Sequence, residues 1–287
     1  MRTLLILTLL LSLAVGAPTA AALWWFSRNL PDYRKLVDYH SPPGQPFISI
    51  VAIPSGVIHA FLSAEDADFY HHSGVDVAMV LRAMAVDIFR FASDQRPIGA
   101  STITQQLVKN LLLTDKVSIN RKIQEGLLAL RIERILPKDR ILELYLNEIY
   151  LGCGAHGLAE AAFNYFRKTV GALTIEEAAF LAALPKAPNH YNPLRFPQAA
   201  KARRDWVLDR MVEDGYLTVE QATAAKAMPI RLRDACEGKR ALSDQVSRGR
   251  SSRTAQRADL FESLVSASVG GRVITSKNRF MSMAARR

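Results

Sequence analysis

At 287 residues, with 49% hydrophobic and 22% charged side chains, the chain can form one large globular domain or two small ones together with an apolar segment. Its net charge of +10 suggests nucleic acid until it is located: residues 231–287 hold 13 Lys or Arg against 5 Asp or Glu, a surplus of 8 that leaves the rest near +2. No zinc finger, aromatic RNP run or basic heptad accompanies that basic tail, so nucleic acid is excluded as the expected partner.

Residues 3–26 are uncharged, with Arg2 ahead and Arg28 behind. As a helix of about 24 residues they would reach roughly 36 Å, enough to cross a bilayer core of about 30 Å. Trp24, Trp25 and Phe26 stand where an interfacial aromatic belt would. A cleaved signal peptide is the rival, because Ala17 to Ala22 offers small residues for cleavage. The apolar run continues past those alanines into the tryptophans, which favours a retained anchor. Either way the body is exported.

Residues 29–54 are Pro-rich in the middle and read as a linker, with Phe47–Ile53 the best candidate strand in the chain. Thereafter the pattern is helical. The stretch Ala64–Gly74 sets Glu65, Asp66 and Asp68 into an apolar approach, where a carboxylate is costly unless paired or used. If helical, it places Glu65, Phe69 and His72 near one face; its bland alternative is a helix start capped at Ser63. Residues 75–91 repeat apolar positions at helical spacing, and 92–99 form a polar loop.

Thr102 with Gln105 predicts a capping box and a helix start. Ser101, Gln105 and Lys109 would then share a face beside a helix N-terminus, which suits an anion such as phosphate, or they form an ordinary solvated face. Arg121, Lys122 and Glu125 lie on the next helix at spacings of four and three. They are an ion-paired surface or a second carboxylate flanked by cations, and spacing does not choose. Further helices are predicted from Lys138 towards the glycines at 152 and 154, over Ala178–Leu184 behind a Thr174/Glu177 box, over Lys201–Met211, and over Thr218–Met228 behind a Thr218/Gln221 box. Residues 185–193 read as a Pro-punctuated loop. About eight helices and very little strand make a mainly α domain over residues 55–230. Beyond Ile230 the apolar period disappears, and residues 231–287 read as a basic, disordered tail. Cys153 and Cys236 form no metal-ligand spacing; a disulfide between them is compatible with export, while a buried thiol at Cys153 is the favoured state.

Taken together, five stretches resemble the peptidoglycan glycosyltransferase family, the module of class A penicillin-binding proteins, the 1A type especially, and of monofunctional transglycosylases. They are E-D-x-x-F-x-x-H-x-G at Glu65–Gly74, G-x-S-T-I-T-Q-Q-L-x-K-N at Gly99–Asn110, R-K-x-x-E at Arg121–Glu125, I-L-E-L-Y-L-N at Ile141–Asn147, and E-A-A-x-L leading into Pro188 and Tyr191-Asn192-Pro193. The transpeptidase signatures S-x-x-K and K-T-G do not occur in these residues. The resemblance implies a lysozyme-like, mainly α domain behind a single-pass anchor in the bacterial inner membrane, with the catalytic domain periplasmic. It implies polymerisation of lipid II into glycan strands by inverting transfer, releasing undecaprenyl pyrophosphate. Lipid II and the growing strand are the implied partners, with cell-wall synthesis proteins as further candidates. By the same resemblance Glu65 is the general base and Glu125 assists the leaving pyrophosphate. Ser101, Gln105, Lys109, Arg121 and Lys122 bind substrate, and Asp66, Phe69 and His72 shape the site. No cofactor is required by it, although magnesium or manganese at the pyrophosphate is an alternative to cationic side chains.

Two positions depart from the family pattern. Arg167 replaces a small residue in Tyr165-Phe166-Arg167-Lys168, which predicts an altered turn, and Val117 stands where many members carry arginine, with Lys116 adjacent. A lysozyme-like muramidase and a non-catalytic, membrane-tethered interaction protein left by truncation are the competing functions.

Overall fold

The computed structural model describes residues 16–18, 21, 24–42, 44–79, 101–114 and 118–232. The chain divides into two units, Met1–Arg233 and Asp234–Arg287, and every described residue belongs to the first. The basic tail, most of the predicted anchor, the loop at 92–99 and the Val117 departure lie outside the described residues. Among those that are described, no helix is long and apolar enough to cross a membrane.

Eight α-helices are described: α1 Ser55–Glu65, α2 Ile103–Leu112, α3 Ile119–Ile132, α4 Lys138–Glu148, α5 Gly157–Phe166, α6 Ile175–Ala183, α7 Pro197–Glu213 and α8 Val219–Ala227. No strand occurs among the described residues, only an isolated antiparallel bridge between Tyr150 and His156. The mainly α reading therefore stands. The strand expected at Phe47–Ile53 does not form; a 3-10 turn occupies Ile50–Ala52. Its backbone groups are taken by side chains of α4. Asn147 accepts from the Ile48 N–H at 2.8 Å and donates to the Ile48 carbonyl at 2.8 Å, and Glu143 accepts from the Ile50 N–H at 2.9 Å. An amide side chain thus offers the donor and acceptor that a neighbouring strand would have supplied.

Helix α6 is the core element. Residues Ala178–Leu184 are all at most 1% exposed, and their run of alanines lets α1 and α7 pack closely on it. On the other side α2 packs against α3 and α4. The capping boxes expected at Thr102 and Thr218 are present, and the Thr174 N–H donates to Glu177 at 2.9 Å. Arg204, fully buried, donates to Asp205 and to the carbonyls of Lys226 and Met228, tying α7 to the end of α8. Asp76 accepts from the Met79 N–H at 2.8 Å where a helix opens at Val77.

Two backbone positions carry sharp expectations. Gly74 has φ +94, and a Cβ there would lie 2.6 Å from the Ala129 carbonyl oxygen of α3. Gly74→Ala should therefore cost about 2–5 kcal/mol, from the left-handed backbone and the clash together, read as a fall in the denaturant midpoint. Arg167 ends α5 in the left-handed conformation, φ 56 and ψ 36, with its guanidinium 4.6 Å from the Phe163 ring centre. A non-glycine residue is strained in this conformation. Arg167→Gly should stabilise the fold by about 0.5–1 kcal/mol after loss of the cation–π contact, measured as a higher unfolding midpoint.

Cys153 is half-buried and is not a free thiol, contrary to the favoured expectation of a buried thiol.

Candidate active site

The Ala64–Gly74 stretch does not continue as a helix, nor does it begin one. Helix α1 ends at Glu65, and Asp66, at φ −163 and ψ 76, turns the chain away. Glu65, Phe69 and His72 therefore do not share a helical face, and Ser63 is inside α1 rather than a cap. The reason is the Asp66 carboxylate, which is drawn to the opposite element. It accepts from the Ile103 N–H at 2.9 Å, at the start of α2, where the helix dipole favours an anion. His72 Nε2 meets both carboxylate oxygens, at 2.9 and 3.0 Å. Because His72 Nδ1 accepts from the Gly74 N–H at 3.2 Å, the ring proton belongs on Nε2 and is donated to Asp66. Thr102 Oγ1 donates to the Gly74 carbonyl at 2.7 Å, closing the same junction. Phe69 is wholly buried, with Lys138 Nζ 4.3 Å from its ring centre. None of these three predicted site-shaping residues lines the Glu65 cleft described below; Asp66 and His72 fix where α1 ends relative to where α2 begins, and Phe69 packs in the core beside His72.

Glu65 itself faces a cleft of about 410 Å³ lined by Ser101, Gln106 and Lys109 on one side and by Pro185, Lys186, Arg203 and Trp206 on the other. Gln106 Nε2 donates to Glu65 Oε2 at 2.7 Å. Oε1 is enclosed and has no hydrogen-bond partner among the described residues. Burial raises the pKa of Glu65 above its ordinary value; the Gln106 hydrogen bond and the charges of Arg203, Lys186 and Lys109 oppose that rise without cancelling it. Arg203 lies 3.7 Å over the Trp206 ring, and burial draws its pKa down against the pull of Glu65 and Tyr191. One carboxylate with an unused enclosed oxygen thus sits among three cations. Such a group can accept a proton while its neighbours stabilise developing negative charge.

Glu125 forms a second centre. Its side chain is 4% exposed, with Arg121 Nε 3.0 Å from Oε1 and Lys122 Nζ 3.0 Å from Oε2. Lys122 Nζ also donates to Ser101 Oγ at 2.6 Å, which links this centre to the lining of the Glu65 cleft. Of the predicted substrate-binding residues, Ser101 and Lys109 thus line the Glu65 cleft, Lys122 adjoins it through Ser101, and Arg121 shares Glu125 with Lys122. Gln105 does not line it. It is buried, and its amide oxygen accepts from the Thr102 N–H at 3.0 Å inside the capping box. The glutamine on Glu65 is its neighbour, Gln106, which the sequence reading passed over. A usable signal existed: a residue at the third position of a capping box is committed to the backbone, leaving the next amide for the site. Lys186, Arg203 and Trp206 were also passed over, and no local spacing announces them. Both Glu125 oxygens already face cations, and the described residues contain no cluster of three or more His, Cys, Asp or Glu. That donor set does not fit a divalent ion without displacing Arg121 or Lys122.

A mainly helical domain with a buried glutamate in a cation-rimmed cleft is the class of protein defined so far. A transglycosylase family model matches residues 34–212, and the chain belongs to that family. It is 46% identical to penicillin-binding protein 1A of Rickettsia bellii over 246 residues, which are 79% of this chain and 31% of that protein. It is 49% identical to penicillin-binding protein 1A of Escherichia coli K12 over 174 residues, 61% of this chain and 20% of the other. The chain therefore spans less than a third of the length of these curated relatives.

Proposed function

We propose that this chain is a peptidoglycan glycosyltransferase that polymerises lipid II into glycan strands by inverting transfer. The observation that carries the reading is Glu65, whose carboxylate is held above its ordinary pKa by burial and ringed by Lys109, Lys186 and Arg203. Glu65 takes the proton of the acceptor sugar's 4-hydroxyl as that oxygen attacks the donor's anomeric carbon. The new C–O bond forms on the face opposite the leaving group, and the bond to pyrophosphate breaks with its electron pair going to undecaprenyl pyrophosphate. Lys109, with Ser101 beside it and Arg121 and Lys122 adjoining, neutralises the departing anion. Glu125 holds Arg121 and Lys122 in place rather than donating a proton. Asp66, Phe69 and His72 set the position of the base. Cations on both walls suit a pyrophosphate donor better than hydrolysis of a neutral glycan.

In this reading the domain is lysozyme-like and sits in the periplasm, tethered to the inner membrane by residues 3–26. The exposed Trp24 and Trp25, 61% and 55% accessible on a helical turn, support an interfacial belt at that boundary. The test is formation of polymeric glycan from purified lipid II by the full chain, with Glu65→Gln beside it. Equal product from the two proteins would remove Glu65 as the base, and soluble fragments released from intact sacculi without polymer would favour a muramidase.

A further inference from the structure

Among the described residues the Glu65 carboxylate has one neutral donor, Gln106, and a primary amide can face it with either end. An amide nitrogen and an amide oxygen are nearly the same size, so packing alone does not decide between them. We propose that Tyr145 is a positioning residue for the Glu65 base, its phenol selecting the Gln106 orientation that turns Nε2 toward the carboxylate. The inference rests on the function proposed above.

Tyr145 lies on α4 and is 0% exposed. Its hydroxyl points at Gln106 Oε1 from 3.5 Å, at the long limit of a hydrogen bond, while Gln106 Nε2 donates to Glu65 Oε2 at 2.7 Å. The polarity of this relay is fixed at the tyrosine end. Burial, and then the negative charges of Glu65 and Asp66, push the Tyr145 pKa well above the ordinary value, so the phenol keeps its proton at any working pH. A phenol that always carries its proton, set against the amide oxygen, leaves the amide N–H groups for Glu65. With the amide reversed, its oxygen would oppose the carboxylate, and Glu65 would lose its neutral donor while Oε1 is already without one. The charged groups that face Glu65 are Lys109 on α2, Lys186 after α6 and Arg203 on α7, with Asp66 next in the chain. They act on Glu65 through charge.

The experiment is a double-mutant cycle on the full chain with Tyr145→Phe, Gln106→Ala and both together, measuring kcat, KM and the pH profile of lipid II polymerisation. Tyr145→Phe should lower kcat by about 2- to 10-fold with KM unchanged, and should move the acid limb of the profile upward. In the Gln106→Ala background it should do neither, because the amide that it orients is gone. An equal loss in both backgrounds would mean that the hydroxyl serves packing alone, and an unmoved acid limb in the single variant would overturn the proposal. A carbon-13 NMR titration of the Glu65 carboxyl in the same proteins, assigned with Glu65→Gln, reads the effect without turnover. A Glu65 midpoint that rises in Tyr145→Phe supports the relay even if the wild-type chain makes no polymer, and a midpoint that stays put refutes it even if polymerisation is robust.

Discussion

Glu65→Gln is expected to lower kcat for lipid II polymerisation by about 10²- to 10⁴-fold, the usual contribution of a positioned general base, with little change in KM. The substitution keeps the shape of the side chain and leaves an amide oxygen to accept from Gln106 Nε2, so the loss is one of proton acceptance and not of folding. Stability should move the other way. Glu65 has its folded pKa raised above the ordinary 4.5, so the native state holds the proton through a pH window that opens at that value. Within the window the native state binds more protons than the unfolded one. Stability from the neutral acid is thus fully present below pH 4.5 and is lost as pH rises through the folded pKa. Above its folded pKa the wild-type domain carries the cost of a buried, ionised carboxylate, and glutamine does not. The unfolding midpoint of Glu65→Gln should therefore equal or exceed that of wild type at pH 7, with the two curves converging in acid. A dead enzyme with an undiminished midpoint is the signature of a group retained for chemistry. A variant as inactive but several degrees less stable would mean that the glutamate is a structural residue. The wild-type acid limb should likewise lie above the ordinary glutamate value, since the base works only when ionised.

The fold class was legible because long apolar periods and three capping boxes specify helices locally, and these signals needed no tertiary information. The two failures of local structure share a cause: each depended on a partner distant in the chain. Phe47–Ile53 has the β-branched content of a strand, yet Asn147 and Glu143, about a hundred residues later, answer its backbone groups from a helix. Ala64–Gly74 has an internal spacing compatible with a helix, yet Asp66 breaks it because the start of α2 offers that carboxylate a backbone N–H. The site divides in the same way. Glu65, Ser101 and Lys109 belong to motifs whose residues were recognisable as chemistry, whereas Lys186, Arg203 and Trp206 belong to stretches that look like an ordinary loop and an ordinary helix. Only the packing of α6 and α7 against α1 brings that second wall to the base. Arg167 is a different case, a non-glycine residue that ends α5 in the left-handed conformation, which its sequence neighbours do not announce.

Lys109→Met should lower kcat by about 10²- to 10³-fold, the loss expected when one preorganised charge is removed from a developing anion. Methionine keeps the unbranched stem and its place on α2, so the change isolates the ammonium. Two roles are open to that charge, and they predict different patterns. As a counter-ion to Glu65, Lys109 would act mainly by holding the carboxylate ionised. In that role it should be the weakest of the three cations, since the pull on Glu65 runs Arg203, then Lys186, then Lys109. Arg203→Met would then be the more damaging variant and would raise the acid limb further. As the group that neutralises the departing pyrophosphate, Lys109 would contribute only as that charge develops. Lys109→Met would then be the slower enzyme although its acid limb moves less than that of Arg203→Met. The second pattern is expected. Lys109 lines the cleft beside Ser101, whose hydroxyl is tied to Lys122, and so stands with the cations that Glu125 organises. Arg203, stacked on Trp206, is committed to the opposite wall. Lys109→Arg should recover only part of the rate, because a planar guanidinium cannot take the place of a compact ammonium on a short approach. Measuring kcat and the acid limb in all three variants separates the roles, since a charge that serves the base changes both together, whereas one that serves the leaving group lowers the rate and leaves the limb nearly in place.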